Sequence, residues 1–217
     1  MSRLALWPLA LLAATPVAAQ DFQSFCNGTV PVRVGAWAAY QFIGGRADGS
    51  TMRMAIIGSE RFSDSTYYWY EVQTTAAPNQ KPSHTIMQIL VAGIASPRVA
   101  VRGLIMKSNN QAAMRAPDMM VAMMSRAFTG GVSQYLEQTC KKGGVQVVGV
   151  ESVTVPAGSF RATHIKDADG GEAWLQPGAG VFAMVKVLSK DGTVMALAGR
   201  GSGATSAITE TPQPMMR

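Results

Sequence analysis

The sequence predicts a mainly β (α+β) fold: a curved antiparallel sheet or half-barrel, with one helical insertion covering its concave face. Three observations predict it. Runs of strand length rich in β-branched and aromatic residues recur in both halves, as in "TYYWYEVQTTA" and "VQVVGVESVTV". The joins between runs carry tight-turn chemistry (Asp48-Gly49, "PAG", "DADG", "PGAG", "KDG"), so neighbouring strands run as hairpins. Between the halves the texture changes once, at "NQAAMRAPDMMVAMMSRAFTGG", which is poor in β-branched residues and rich in helix formers.

The elements follow in order. "MSRLALWPLALLAATPVAAQ" has one early Arg, an apolar run and small residues at its end, the pattern of a secretory signal peptide. The expected cut follows Ala19, with Gln20 as the alternative, leaving a domain over 20–199 and a loose tail over 200–217. "AWAAYQFIGG", "STMRMAIIGSERF", "TYYWYEVQTTA", "SHTIMQILVAG" and "RVAVRGLIMKS" read as a five-stranded meander. The helical insertion is expected near 112–140, opening at Pro117-Asp118 and stopping at Gly130-Gly131. A second short helical run is expected in "VSQYLEQTCKKGG". From 145 onward "VQVVGVESVTV", "SFRATHIK", "GEAWLQ", "GVFAMVKVLSK" and "TVMALAG" read as five more strands. The last stretch, "RGSGATSAITETPQPMMR", has no periodicity.

The chain has 217 residues, 47% of them hydrophobic and only 15% charged, against roughly a quarter charged in an average soluble domain. Its net charge of +6 is scattered along the chain. A nucleic-acid protein would gather its basic residues with aromatics on one face, so nucleic acid is excluded as a partner. A mild attraction to anionic envelope membranes remains. The two cysteines, Cys26 and Cys140, both follow the cut, and an even count in an exported chain points to one disulfide. Residues 23–26 read "QSFC", without the small residues a lipid-anchored cysteine needs before it, so no lipid anchor is expected.

"VTVPAGSFRATHIK", followed by "GGEAWLQPGAGVFAMVKV", carries a resemblance. The stretch resembles exported bacterial proteins of unknown function in which a V-P-A-G-x-F hairpin precedes a Trp-bearing strand. Those proteins in turn resemble the outer-membrane lipoprotein carrier (LolA-like) superfamily, an unclosed barrel with helices over its concave face. The resemblance covers residues 145–199 and implies a periplasmic location. It is a fold signature and carries over no functional residue.

Candidate chemistry is sparse. Met119, Met120, Met123 and Met124, extended by Phe128, form a broad stripe on the predicted helix. Methionine suits apolar surfaces that accept varied ligands, so the stripe is the candidate ligand-binding surface. The alternatives are an ordinary core-facing side and copper(I) held by thioethers. "DADGGE" at 167–172 resembles the start of a calcium loop but lacks the longer ligand spacing, and it lies where a turn is needed. There is no G-x-S-x-G elbow and no H-E-x-x-H, and His84 and His164 are the only two histidines. Glu60, Glu71, Glu137 and Glu151 could still meet in space. No cofactor, metal or catalytic residue is expected. The sequence therefore reads as a periplasmic, non-enzymatic binder of an apolar ligand: a lipid, an acyl chain or a lipidated protein. The alternative is a structural or interaction module of the cell envelope with a self-filled core. The sequence leaves the oligomeric state open.

Overall fold

The computed structural model describes residues 26, 31–62, 65–93, 99–126, 140–141 and 144–215. The signal-peptide stretch, Phe128 and Glu137 lie outside these residues, as does most of the second helical run. The described residues form one open, curved, mostly antiparallel sheet. Its strands are β1 (Trp37–Ile43), β2 (Thr51–Arg61), β3 (Thr66–Thr75), β4 (His84–Ala92), β5 (Ala100–Ser108), β6 (Met114–Arg115), β7 (Val145–Val155), β8 (Gly158–Asp167), β9 (Glu172–Leu175), β10 (Met184–Leu188), β11 (Val194–Gly201) and β12 (Gln213–Pro214). Their order across the sheet is β12-β6-β5-β4-β3-β2-β1-β11-β10-β9-β8-β7. The expected meanders are β1–β5 and β7–β11, and the pairing of β1 with β11 joins them into one surface.

Local chemistry accounts for the hairpins. The turn at Val155-Pro156-Ala157-Gly158 closes β7 onto β8 through the pair Val155↔Gly158. Proline presets one φ there, and Gly158 takes φ +122°, a value other residues rarely adopt. This hairpin also curls back over the sheet, where the Ala157 N–H donates to Leu197 O of β11 at 3.0 Å. In "DADGGE" one carboxylate oxygen of Asp167 accepts the N–H groups of Asp169 and Gly171 at 2.9 and 2.8 Å. That is the self-capping expected of an Asx turn.

Strand alternation sorts the first meander into two faces. In register, Ile56, Tyr70, Ile89 and Leu104 stand side by side across β2–β5. They form a buried apolar cluster with Val91, Val99, Ala116 and Val121. One position away, Glu71, Gln88 and Ile105 align on the opposite face.

Each face has its own cover. Residues 118–126 form helix α1, which begins where Pro117 O accepts the N–H groups of Met120 and Val121 at 2.9 and 3.1 Å. Val121, Met120 and Met124 pack onto the Ile56 cluster. The helix opens at the expected Pro117-Asp118, but the insertion expected near 112–140 carries a short strand ahead of it. Met114–Arg115 pairs with β5, and the Ala116 N–H donates to Leu104 O at 2.9 Å. The open backbone edge of β5 recruits the chain there, and the small, buried Ala113 and Ala116 let it come close.

The tail is a second departure from the sequence reading. It is packed rather than loose. After β11 it passes Gly35, where Ala204 is buried, and then crosses the Glu71 face as a strap that buries Ile208. Its end, β12, pairs in parallel with β6. Directed bonds from backbone and side chains hold it together with an apolar anchor, Ile208, so hydrophobic periodicity does not report it.

Cys26 and Cys140 form a disulfide, with Cα atoms 5.4 Å apart and 114 residues between them in sequence. A loop of that length corresponds to an upper bound of about 5 kcal/mol of denatured-state entropy removed.

Candidate functional site

A cleft of about 800 Å³ opens beside the Ile56 cluster. Three separated stretches of chain build it: the lead-in 31–37, the β9–β10 loop with its flanks at 175–183, and the end of β11 at 200–202. Its size falls within the roughly 300–1,000 Å³ usual for small-molecule sites. Ile56 of β2 contributes to the lining, which is otherwise mostly Val, Pro, Ala, Leu and Gly.

The lead-in wall is pinned at Gly35. Its N–H donates to Ile56 O at 2.7 Å, and its carbonyl accepts the Ala204 N–H at 2.9 Å. Gly35 has φ +86°, and a Cβ there would meet Gly203 N at 3.1 Å, so glycine is what allows the lead-in to lie this close.

The facing wall is the "QPGAGVFA" loop, closed by Gln176 N–H to Ala183 O at 2.7 Å. Gly180 presses on β1: a Cβ there would sit 2.5 Å from the Ala38 Cβ. Ala183, a buried lining residue, takes φ +59°. For a residue with a Cβ that is a sparsely populated region, held in place by the surrounding fold. Phe182 anchors the same loop edge-to-face on Tyr70, with centroids 5.4 Å apart. Tyr40 donates to Met184 O at 3.1 Å, and burial pushes both the Tyr40 and Tyr70 hydroxyls far above the ordinary tyrosine range.

The methionine stripe divides between two environments. Met120 and Met124 pack on the Ile56 cluster, whereas Met119 and Met123 stand 81% and 65% exposed. None of the four lines the cleft. Val32 and Val181 do line it, and they pack against the same cluster as Met120 and Met124.

The polar residues form two separate groups. Glu71, fully buried, accepts from Gln73 and Gln88 side-chain amides at 2.8 Å each and from the Ala207 N–H of the strap at 3.0 Å. Arg53 lies 4.0 Å away. Glu151 belongs to the other group, around the buried His164. His164 Nε2 meets Glu172 at 2.6 Å, and its Nδ1 lies 3.3 Å from Glu151, at ion-pair reach but off hydrogen-bond geometry. The His164 ring stacks on Trp174 at 4.3 Å, and the Lys186 ammonium sits 4.6 Å from the centre of the same indole. The Trp174 N–H donates to Glu151 at 2.5 Å. Lys166 beside Glu172 holds that carboxyl below its usual range, and His164 adds to the effect. This network fastens edge strand β7 to β8–β10, and it leaves the buried His164 Nδ1 without a hydrogen-bond partner among the described residues.

The remaining candidates lie apart from these groups. Glu60 accepts from Trp69 at 2.7 Å, and His84 contacts Thr75 at 3.1 Å. Among the described residues no three His, Cys, Asp or Glu side chains are grouped to hold a metal ion. Sequence reasoning missed the cleft. Its one local signal was the glycine-rich "PGAG", which reads equally well as a turn.

No protein-family model matches the chain, and no curated protein matches it. Among solved structures it is similar to a "putative lipoprotein" from Parabacteroides distasonis, with 11% identity and a TM-score of 0.37 over 79% of this chain and 97% of that one. It is also similar to a "putative exported protein with YmcC-like fold" from Bacteroides fragilis, with 10% identity and a TM-score of 0.36 over 79% of this chain and 98% of that one.

Proposed function

We propose that the protein is an exported, periplasmic, non-enzymatic binding protein for an apolar ligand such as a lipid, an acyl chain or the acyl group of a lipidated protein. The cleft of about 800 Å³ with mostly apolar walls carries this reading. Binding is by burial: a chain that hides eight methylenes gains roughly 6 kcal/mol before the costs of ordering. Helix α1 acts as a cover next to the cleft, because its inner methionines share the Ile56 cluster with Val32 and Val181. A carrier must also release its load, so this cover belongs to the less stable part of the fold.

A second reading, a structural or interaction module with a self-filled core, is favoured by one observation. The space directly beneath α1 is occupied by Val121, Met120 and Met124.

Titration of the mature protein with an environment-sensitive apolar dye separates the two. The binding reading expects saturable, one-to-one enhancement that Val181→Asp abolishes while the circular dichroism and melting transition persist. Dye that fails to bind an intact fold leaves the structural module standing.

A further inference from the structure

The lining of the cleft carries charge of one sign only. Among the described residues that line it, Arg33 and Arg200 are the only ionisable side chains, and none is Asp or Glu. Both arginines are exposed. Among the described residues neither has a carboxylate partner at ion-pair distance. Arg200 is held in position: one guanidinium N–H donates to Gly178 O of the facing wall at 2.5 Å, and the group lies 5.2 Å from the centre of the Phe160 ring. A guanidinium has five N–H donors in a planar fork, so this fixed pose leaves others for a ligand.

From this arrangement we infer that the cleft takes a single-chain amphiphile with an anionic headgroup, the chain lying along the apolar walls and the headgroup held by Arg33 and Arg200. The inference rests on the binding function proposed above and adds the class of ligand. A carboxylate and a phosphate both match the arginine fork, and both are stronger partners for it than any neutral headgroup. A volume of about 800 Å³ accommodates one chain rather than a bulky multi-chain lipid.

The test uses the mature, disulfide-bonded protein and three probes with the same chain: decanoate, decyl phosphate and 1-decanol. Calorimetry, or displacement of the bound dye, gives an affinity for each. The expected result is that at least one anionic probe binds about tenfold or more tighter than decanol, and that the margin shrinks with added salt. Arg33→Gln and Arg200→Gln are each expected to remove most of that margin while leaving decanol binding in place. Arg33→Gln serves as the cleaner variant, since Arg200 also stacks on Phe160. Whichever anion binds tighter identifies the headgroup, and either order supports the inference. Equal affinity for decanol and both anions overturns it while leaving the apolar-ligand function intact. So does a margin that survives both substitutions. Absence of binding by every probe overturns the two together.

Discussion

The two faces of the first meander are covered by different physics. On the Ile56 face, α1 and the "QPGAGVFA" loop cover an apolar cluster, and their fit leaves a cleft at one side. On the Glu71 face, the strap is fastened by directed bonds to a fully buried carboxylate, and by Ile208 docking onto Ile86, Ile105 and Ala113. Apolar contact has no preferred direction, so a cover of that kind can shift and repack. A buried carboxylate tolerates little movement, because each lost bond leaves a donor or acceptor unsatisfied. The difference teaches where function can reside: the adaptable face holds the cleft and the bonded face holds the chain end.

Removing the carboxylate breaks this comparison most severely. Glu71→Ala leaves the Gln88 and Ala207 donors without their shared acceptor inside the protein. We expect a loss of about 3 kcal/mol in urea unfolding. Early proteolysis within 202–215 should accompany it, with the dye affinity of the cleft largely kept. A loss below about 1 kcal/mol would mean that the Ile208 contact and the β12–β6 pairing hold the strap without the carboxylate, and the two faces would then differ little.

The methionines sharpen the comparison within one face. Met120→Ala and Met124→Ala are each expected to cost about 1–2 kcal/mol, being half-buried on the Ile56 cluster. Met119→Ala and Met123→Ala should stay within about 0.5 kcal/mol, since both side chains stand mostly in solvent. Thermal melts of the four variants check this. Four equal losses would place all of them under a cover that the division between inner and outer methionines denies.

That division shows what the sequence could and could not disclose. Positions 119, 120, 123 and 124 span an arc of roughly 140° on an α-helix, wider than one line of contact with a sheet. Periodicity therefore found the stripe but not which part of it touches the core. The ten main strands were legible because period-two patterning and turn residues agree at nearly every join. Strands β6 and β12, two residues each, are too short to show a period. The cleft was illegible for a topological reason. Pro31, Ile56, Val181 and Arg200 come together because β1 pairs with both β2 and β11, and no local pattern announces that pairing. His164 likewise gains its partners through register: His164↔Trp174 across β8–β9, and Glu151 from β7.

The smallest expected effect is one of pH, and it too separates the faces. On the strap, Glu210 accepts from Lys107 at 2.6 Å and from the Ala113 N–H at 3.3 Å. Lys107 beside it holds the Glu210 carboxyl below its ordinary value of 4.5. The unfolded chain therefore binds this proton more readily than the folded one, and stability from the pair rises with pH in that window. It is fully present above about pH 4.5 and is lost as pH falls through the lower, folded value. The pair is partly exposed, so the effect is small. On the Ile56 face burial raises the Tyr40 and Tyr70 hydroxyls, and both stay neutral throughout acid. Hydrogen-exchange protection, corrected for intrinsic rates, should thus fall at 213–215 between pH 6 and pH 3.5 more than it falls in α1. Lys107→Met should remove that extra loss by removing the partner that lowers the carboxyl. Equal loss on both faces, or a loss that survives Lys107→Met, would show that acid loosens the sheet as a whole rather than the bonded side.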